Sequence, residues 1–160
     1  NSAAEKNLTL EIIRRGIKPE RLIFGERLKR KEYLARYRVA DLFLDTHPYN
    51  AGTTASDALK MGLPVLTYLG QSYQARMGAS ILNSINLPEL ITNSMEEYEA
   101  LAIELATNPD QLTKIKDKLH NNLSVAPLFD TPLFTKNLES AYTQMYERHQ
   151  KGLEPDHIYV

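Results

Sequence analysis

Apolar positions along this chain recur at two different spacings, and the alternation between them predicts the order of its elements. Residues 3–15 (AAEKNLTLEIIRR) put Leu8, Ile12 and Ile13 on one helical face, and Gly16 stands where a helix stops. RLIF (21–24) is a brief apolar run closed by Gly25 and predicts a short strand, whereas KEYLARYRVA (31–40) returns to helical spacing through Tyr33, Leu34 and Tyr37. DLFLDT (41–46) predicts a buried parallel strand, TTASDALKMG (53–62) a helix stopped by Gly62 and Pro64, and PVLTYL (64–69) a second buried strand. SYQARMGASILNSIN (72–86) reads as helix and ELIT (89–92) as the last strand. Only helices are predicted beyond it. SMEEYEALAIELATN opens on a Ser94/Glu97 capping box, PDQLTKIKDKLHNNL begins at Pro109, and TPLFTKNLESAYTQMYERHQKG carries Tyr142, Met145 and Tyr146 as a stripe expected to pack the end of the chain.

Short strands alternating with helices imply crossover connections and a parallel sheet, here in an α/β domain with a helical layer at its C-terminal side. No repeat period or long linker divides the sequence, so residues 1–160 read as one domain. Composition narrows what that domain does. Nineteen Lys and Arg against 20 Asp and Glu leave a formal charge of −1, without the basic excess that nucleic acid or an anionic membrane would call for. Any phosphate binding must therefore be local. No apolar run approaches the ~20 residues of a membrane span, and the polar start NSAAEKN does not read as a signal peptide. With no cysteine, thiolate chemistry and disulfides are excluded, in keeping with a cytoplasmic setting. His47, His120, His149 and His157 stand singly, without metal-ligand spacing, so no metal site is expected, and His47 and His157 read as surface groups.

The candidate chemistry lies in HPYNAGTT, a strand-to-helix loop. In open parallel sheets ligands bind beyond the carboxyl ends of the strands, where this loop falls. The first turn of a helix has unpaired N–H groups and about half a positive charge, so with Gly52 allowing close approach it can seat an anion. Thr53 and Thr54 add two hydroxyls, and Asp57, one turn on, is placed to accept from a sugar hydroxyl. The same residues also make an ordinary helix start, with Thr53 as N-cap and Asp57 as a favourable charge. Neither the P-loop nor the Gly-x-Gly-x-x-Gly fingerprint is present, and the pattern alone leaves both readings open.

The stretch from RLIFGERLKRKEY through DLFLDTHPYNAGTTASDALKMGLPVLTYLGQSYQARMGASIL, together with APLFDTPLFTKNLESAYTQMYERHQKGLEPDH, resembles the C-terminal catalytic lobe of protein O-linked N-acetylglucosamine transferases, including bacterial members associated with tetratricopeptide repeats. The resemblance implies the Rossmann-like C-terminal lobe of a two-lobed GT-B glycosyltransferase. It would be metal-independent, need no cofactor, and transfer N-acetylglucosamine with inversion from its uridine diphosphate (UDP) conjugate to Ser or Thr of an acceptor protein. By that resemblance NAGTT is the diphosphate-binding turn, with Gly52, Thr53 and Thr54 at the phosphates and Asp57 at the ribose. LKRKEY borders the uracil: Leu28 through its backbone, Arg30 where the family often has lysine, and Tyr33 where it often has a stacking histidine. Gly52 replaces a histidine of animal members, and Arg76 is similar to an arginine beside the donor.

The resemblance also implies what the chain lacks: the acceptor-binding lobe, the first strand of the nucleotide-binding lobe and a diphosphate-neutralising lysine. The chain is therefore expected to be inactive alone, and its unpaired sheet edges to invite homodimerisation. A non-catalytic interaction module, or a related transferase with another donor sugar or an asparagine acceptor, is the alternative. The catalytic residues are not identifiable from the sequence.

Overall fold

A computed structural model describes residues 1–160, which divide into two compact units, Asn1–Tyr33 and Leu34–Val160. In the first, helix α1 (Ser2–Arg14) starts at Asn1, whose side chain accepts from the Ala4 amide at 2.9 Å. It ends before Gly16, whose φ of +74° favours glycine. A turn of 3-10 helix (Pro19–Arg21) follows, and residues 22–29 have no regular structure. The strand predicted at 21–24 is therefore absent. Ile23 is 86% exposed, and the amides of Arg21 and Leu22 donate to the Lys18 and Pro19 carbonyls of the 3-10 turn and not to a neighbouring strand. The boundary between the units falls inside helix α2 (Arg30–Arg36).

The second unit holds a parallel sheet of three strands in the order β1-β2-β3. Phe43 and Leu44 of β1 (Phe43–Leu44) pair with Val65 and Leu66 of β2 (Val65–Tyr68). Thr67 and Tyr68 pair with Ile91 and Thr92 of β3 (Ile91–Thr92). Helix α3 (Thr53–Lys60) connects β1 to β2, and α4 (Met77–Ser84) connects β2 to β3. Both pack on β2 and on each other. The predicted strand 41–46 is shorter than its apolar run and less buried: β1 lies at the sheet edge, and Leu44 is 54% exposed. The strand predicted at 89–92 loses its first half to a 3-10 turn, Pro88–Leu90.

The core forms where α3 and α4 lie against the central strand. Ala55, Ala58 and Leu59 from α3, Val65 from β2, and Ile81 and Leu82 from α4 are buried together. Leu105 of α5 (Met95–Thr107) and Leu119 of α6 (Pro109–Asn122) close it. Each fully buried Leu contributes roughly 1.5–3 kcal/mol relative to exposure. Ser94 Oγ accepts from Glu97 N at 3.1 Å as the capping box requires, but Glu97 reaches back to Asn93 N at 2.8 Å, one residue earlier than expected. Asn122 at the end of α6 donates to the Ile85 carbonyl at 2.9 Å, fastening that helix to the end of α4.

The predicted stripe on α7 (Thr131–Gln150) does not pack the end of the chain. Tyr142 is 59% exposed, and Met145 and Tyr146 are exposed with it. No helix is long and apolar enough to cross a membrane. Leu82→Ala is expected to cost about 2–5 kcal/mol of unfolding free energy in urea titrations. Tyr146→Ala, on the uncovered stripe, should change it by no more than about 0.5 kcal/mol.

Candidate functional site

The chain leaves β1 at Asp45 and reaches α3 at Thr53, so residues 46–52 form a loop at the carboxyl end of the sheet. Asp45 is 5% exposed, and its carboxylate turns inward. Oδ1 accepts from the amides of Thr46 at 2.9 Å and Ala51 at 2.7 Å, and Oδ2 accepts from the Thr67 hydroxyl at 2.7 Å. One side chain thus closes both ends of the loop and ties them to the central strand.

Asn50, 2% exposed, makes the second brace. Its Nδ2 donates to the Thr46 carbonyl at 2.8 Å, its Oδ1 accepts from the Gly78 amide of α4 at 3.4 Å, and its own amide donates to the Gln74 carbonyl at 3.3 Å. The Thr46 hydroxyl donates to the Tyr49 carbonyl at 2.7 Å. No buried side-chain polar atom is left without a partner, so the loop is held by satisfied bonds, each net worth roughly 0.5–1.5 kcal/mol.

Helix α3 begins in an unusual way for a braced loop. Its N-cap is Gly52, not Thr53, and no side chain caps it. The first helical bond runs from the Ser56 amide to the Gly52 carbonyl at 3.0 Å, so the amides of Thr53, Thr54 and Ala55 lie in the turn that a helix cannot satisfy itself. Thr53 and Thr54 are exposed. A cavity of ≈ 300 Å³ opens beside this turn, lined among others by Tyr49, Asn50, Gly52 and Thr54. A Cβ on Gly52 would meet only Met77 Cγ, at an ordinary 3.7 Å, so crowding within the protein does not demand glycine there. The arrangement can offer backbone donors, two hydroxyls and the positive end of a helix dipole to an anion.

Gly52 and Thr54 line the cavity and Thr53 stands exposed beside them, whereas Asp57 is on the core side of α3, 8% exposed. Leu28, Arg30 and Tyr33 belong to the N-terminal unit. There the Arg30 guanidinium stands 5.8 Å from the centroid of the Tyr33 ring, a cation–π distance, and Leu28 is 40% exposed. Arg76, in a 3-10 turn before α4, borders a separate cavity of ≈ 390 Å³ with Tyr73, Met77 and Ser80. His47 is exposed and stacks on Tyr68, with ring centroids 4.3 Å apart; His157 is exposed as well.

Sequence reasoning missed the residues that hold the loop: Asp45, Asn50, Thr67, Gly78 and Tyr98. A signal existed for Asp45, an acidic residue directly after an apolar run. Tyr98, on α5, had none. Its hydroxyl donates to the Asp45 carbonyl at 2.9 Å, and burial, with the Asp45 charge adding to it, raises its pKa to about 12.

The sequence profile of glycosyl transferase family 41 matches residues 1–138. The chain is similar to a probable UDP-N-acetylglucosamine--peptide N-acetylglucosaminyltransferase SEC from Arabidopsis thaliana, 33% identical over 160 residues that cover 99% of this chain and 16% of that protein. It is also similar to the UDP-N-acetylglucosamine--peptide N-acetylglucosaminyltransferase of Caenorhabditis elegans, 30% identical over 96% of this chain and 13% of that protein. Among solved structures it matches the K341M mutant of an O-GlcNAc transferase from Thermobaculum terrenum with a TM-score of 0.84 and 33% identity, covering 91% of this chain and 28% of that one. That match makes the three-stranded unit the Rossmann-like C-terminal lobe of a GT-B fold. The chain spans less than a fifth of the length of these curated relatives.

Because Tyr98 is neutral in the fold up to about 12 but would ionise near the ordinary tyrosine value of 10.0 when unfolded, its contribution to stability is intact below the lower value and is lost as pH rises through the window between them. Thermal melts from neutral to strongly alkaline pH should therefore show a fall that Tyr98→Phe makes shallower. An equally steep fall in the variant would assign the alkaline transition to other groups.

Proposed function

The chain belongs to glycosyl transferase family 41, and from that premise we propose that it is the UDP-sugar-binding half of a protein N-acetylglucosaminyltransferase. The observation that carries this is the α3 start: a helix whose first turn has no side-chain cap, bearing two exposed hydroxyls beside a cavity, on a loop braced from below. UDP would sit with its diphosphate on that turn and its ribose toward Asp57; in the N-terminal unit, taken by itself, Leu28, Arg30 and Tyr33 are proposed as uracil contacts.

The reaction is attack by a Ser or Thr hydroxyl oxygen on the anomeric carbon of the sugar. The new C–O bond forms as the bond to the diphosphate oxygen breaks, and the electron pair leaves with UDP. Negative charge therefore builds on the diphosphate, where preorganised N–H and O–H donors and a helix dipole act without having to reorganise. In this reading the donors of α3 do that work and no metal is needed. The acceptor protein would be bound by a second lobe, in a cytoplasmic setting. An aromatic platform such as Tyr33 is worth roughly 1–3 kcal/mol per stacked base.

The same reading includes self-association. β1 is an edge strand and offers its outer side to a second copy. Sedimentation equilibrium is expected to detect a dimer, weakened by a charged residue at Leu44; a monomer at all concentrations would remove this part.

The site itself is tested by thermal shift and calorimetry with UDP and uridine. Since neither threonine caps α3, replacing both Thr53 and Thr54 by Ala should change nucleotide-free stability by less than about 1 kcal/mol. It should weaken UDP by roughly 1.5–3 kcal/mol per hydroxyl lost, and leave uridine, which lacks phosphate, unaffected. Asp57→Ala should weaken both, because both carry the ribose. Equal stabilisation of parent and double variant by UDP would overturn the phosphate assignment, and no binding at all would favour an interaction module.

A further inference from the structure

The donor-seat reading concerns what the first turn of α3 offers; a separate question is what keeps that turn aimed. Two buried groups meet behind it. The Asp45 carboxylate spends Oδ1 on the amides at either end of the loop, Thr46 and Ala51, and Oδ2 on the Thr67 hydroxyl, which is fully buried in the central strand. Ala51 lies two residues before Thr53, so its amide sets the path by which the backbone reaches α3. Helix α4 confines the pair from the other side: a Cβ on Gly78 would stand 2.6 Å from Asp45 Oδ2 and 2.4 Å from Thr67 Oγ1.

A carboxylate near an anion seat is electrostatically the wrong sign, since its charge opposes a phosphate. Its presence is explained if its role is geometric, with its charge absorbed by the donors it accepts from. We propose that Asp45, held by Thr67, is a positioning residue for the donor diphosphate: it fixes the loop so that the α3 amides and the Thr53 and Thr54 hydroxyls converge on one point. This rests on the donor-seat reading. A purely structural brace would affect stability but treat all ligands alike.

Asparagine separates geometry from charge. Its carbonyl oxygen can accept from both amides and its amino group can donate to the Thr67 hydroxyl, so Asp45→Asn keeps the clamp and removes the charge. Asp45→Ala removes both. With the purified protein at a temperature where circular dichroism reports a folded chain, calorimetry should find UDP affinity in Asp45→Asn no weaker than in the parent. In Asp45→Ala it should fall by roughly tenfold or more, as expected for losing a hydrogen bond to a charged group, with uridine affinity unchanged. Thr67→Val, nearly isosteric, removes one tether and gives an intermediate loss confined to UDP; it also serves if Asp45→Ala does not fold. Amide hydrogen exchange, without nucleotide, should be faster at Thr46 and Ala51 in Asp45→Ala and unchanged in Asp45→Asn.

An unchanged ratio of UDP to uridine affinity in both Asp45→Ala and Thr67→Val overturns the positioning role, as does an Asp45→Asn protein as impaired as Asp45→Ala. If the parent binds UDP no better than uridine, the donor seat itself fails, and the exchange result then reports the clamp independently.

Discussion

A negative charge taken out of water must be given donors, and the way Asp45 is given them dictates the geometry around it. The amides of Thr46 and Ala51 come from one loop, the Thr67 hydroxyl from the next strand, and the Asp45 carbonyl accepts from the Tyr98 hydroxyl of α5. Loop, sheet and the helical layer behind it are therefore fastened at one residue. The edge strand ends where this begins: Asp45 N still donates to the Leu66 carbonyl, but its side chain then draws the backbone out of the ladder and into the turn.

From that anchor follows a division of labour. The buried side-chain polar atoms of the loop all have partners, and the part that faces outward, the first turn of α3, is left without a side-chain cap. A braced base with an unsatisfied tip is what an anion seat requires, because donors that need not rearrange cost nothing when charge arrives. The glycine at the N-cap takes part in this: Ser, Thr, Asp or Asn there would cap the turn from within and compete with a ligand for the same amides.

Much of this was legible in the sequence, because local chemistry decides it. Gly62 and Pro64 stop α3, Ser94 and Pro109 start their helices, and the helix that follows Gly52 begins at Thr53. The errors lie where a long-range partner decides instead. RLIF has the composition of a strand but no neighbour to pair with, and the α7 stripe has helical spacing but little to cover it. Spacing alone also did not specify the setting of Asp57, which lies on the side of α3 shared with Ala58 and Leu59. The braces were hidden for a related reason: Asp45 and Thr67 are 22 residues apart, and Asp45 and Tyr98 53, so no window of sequence contains either pair.

Gly78 limits how this sequence can drift. Every other amino acid brings a Cβ, and at this position that atom would overlap Thr67 Oγ1 and Asp45 Oδ2 and stand 2.9 Å from Thr67 Cβ, which cannot swing aside as a side-chain tip can. A side chain at residue 78 therefore requires both the strand residue at 67 and the acidic residue at 45 to give way, so the three positions share one volume although none of them is adjacent to another along the chain.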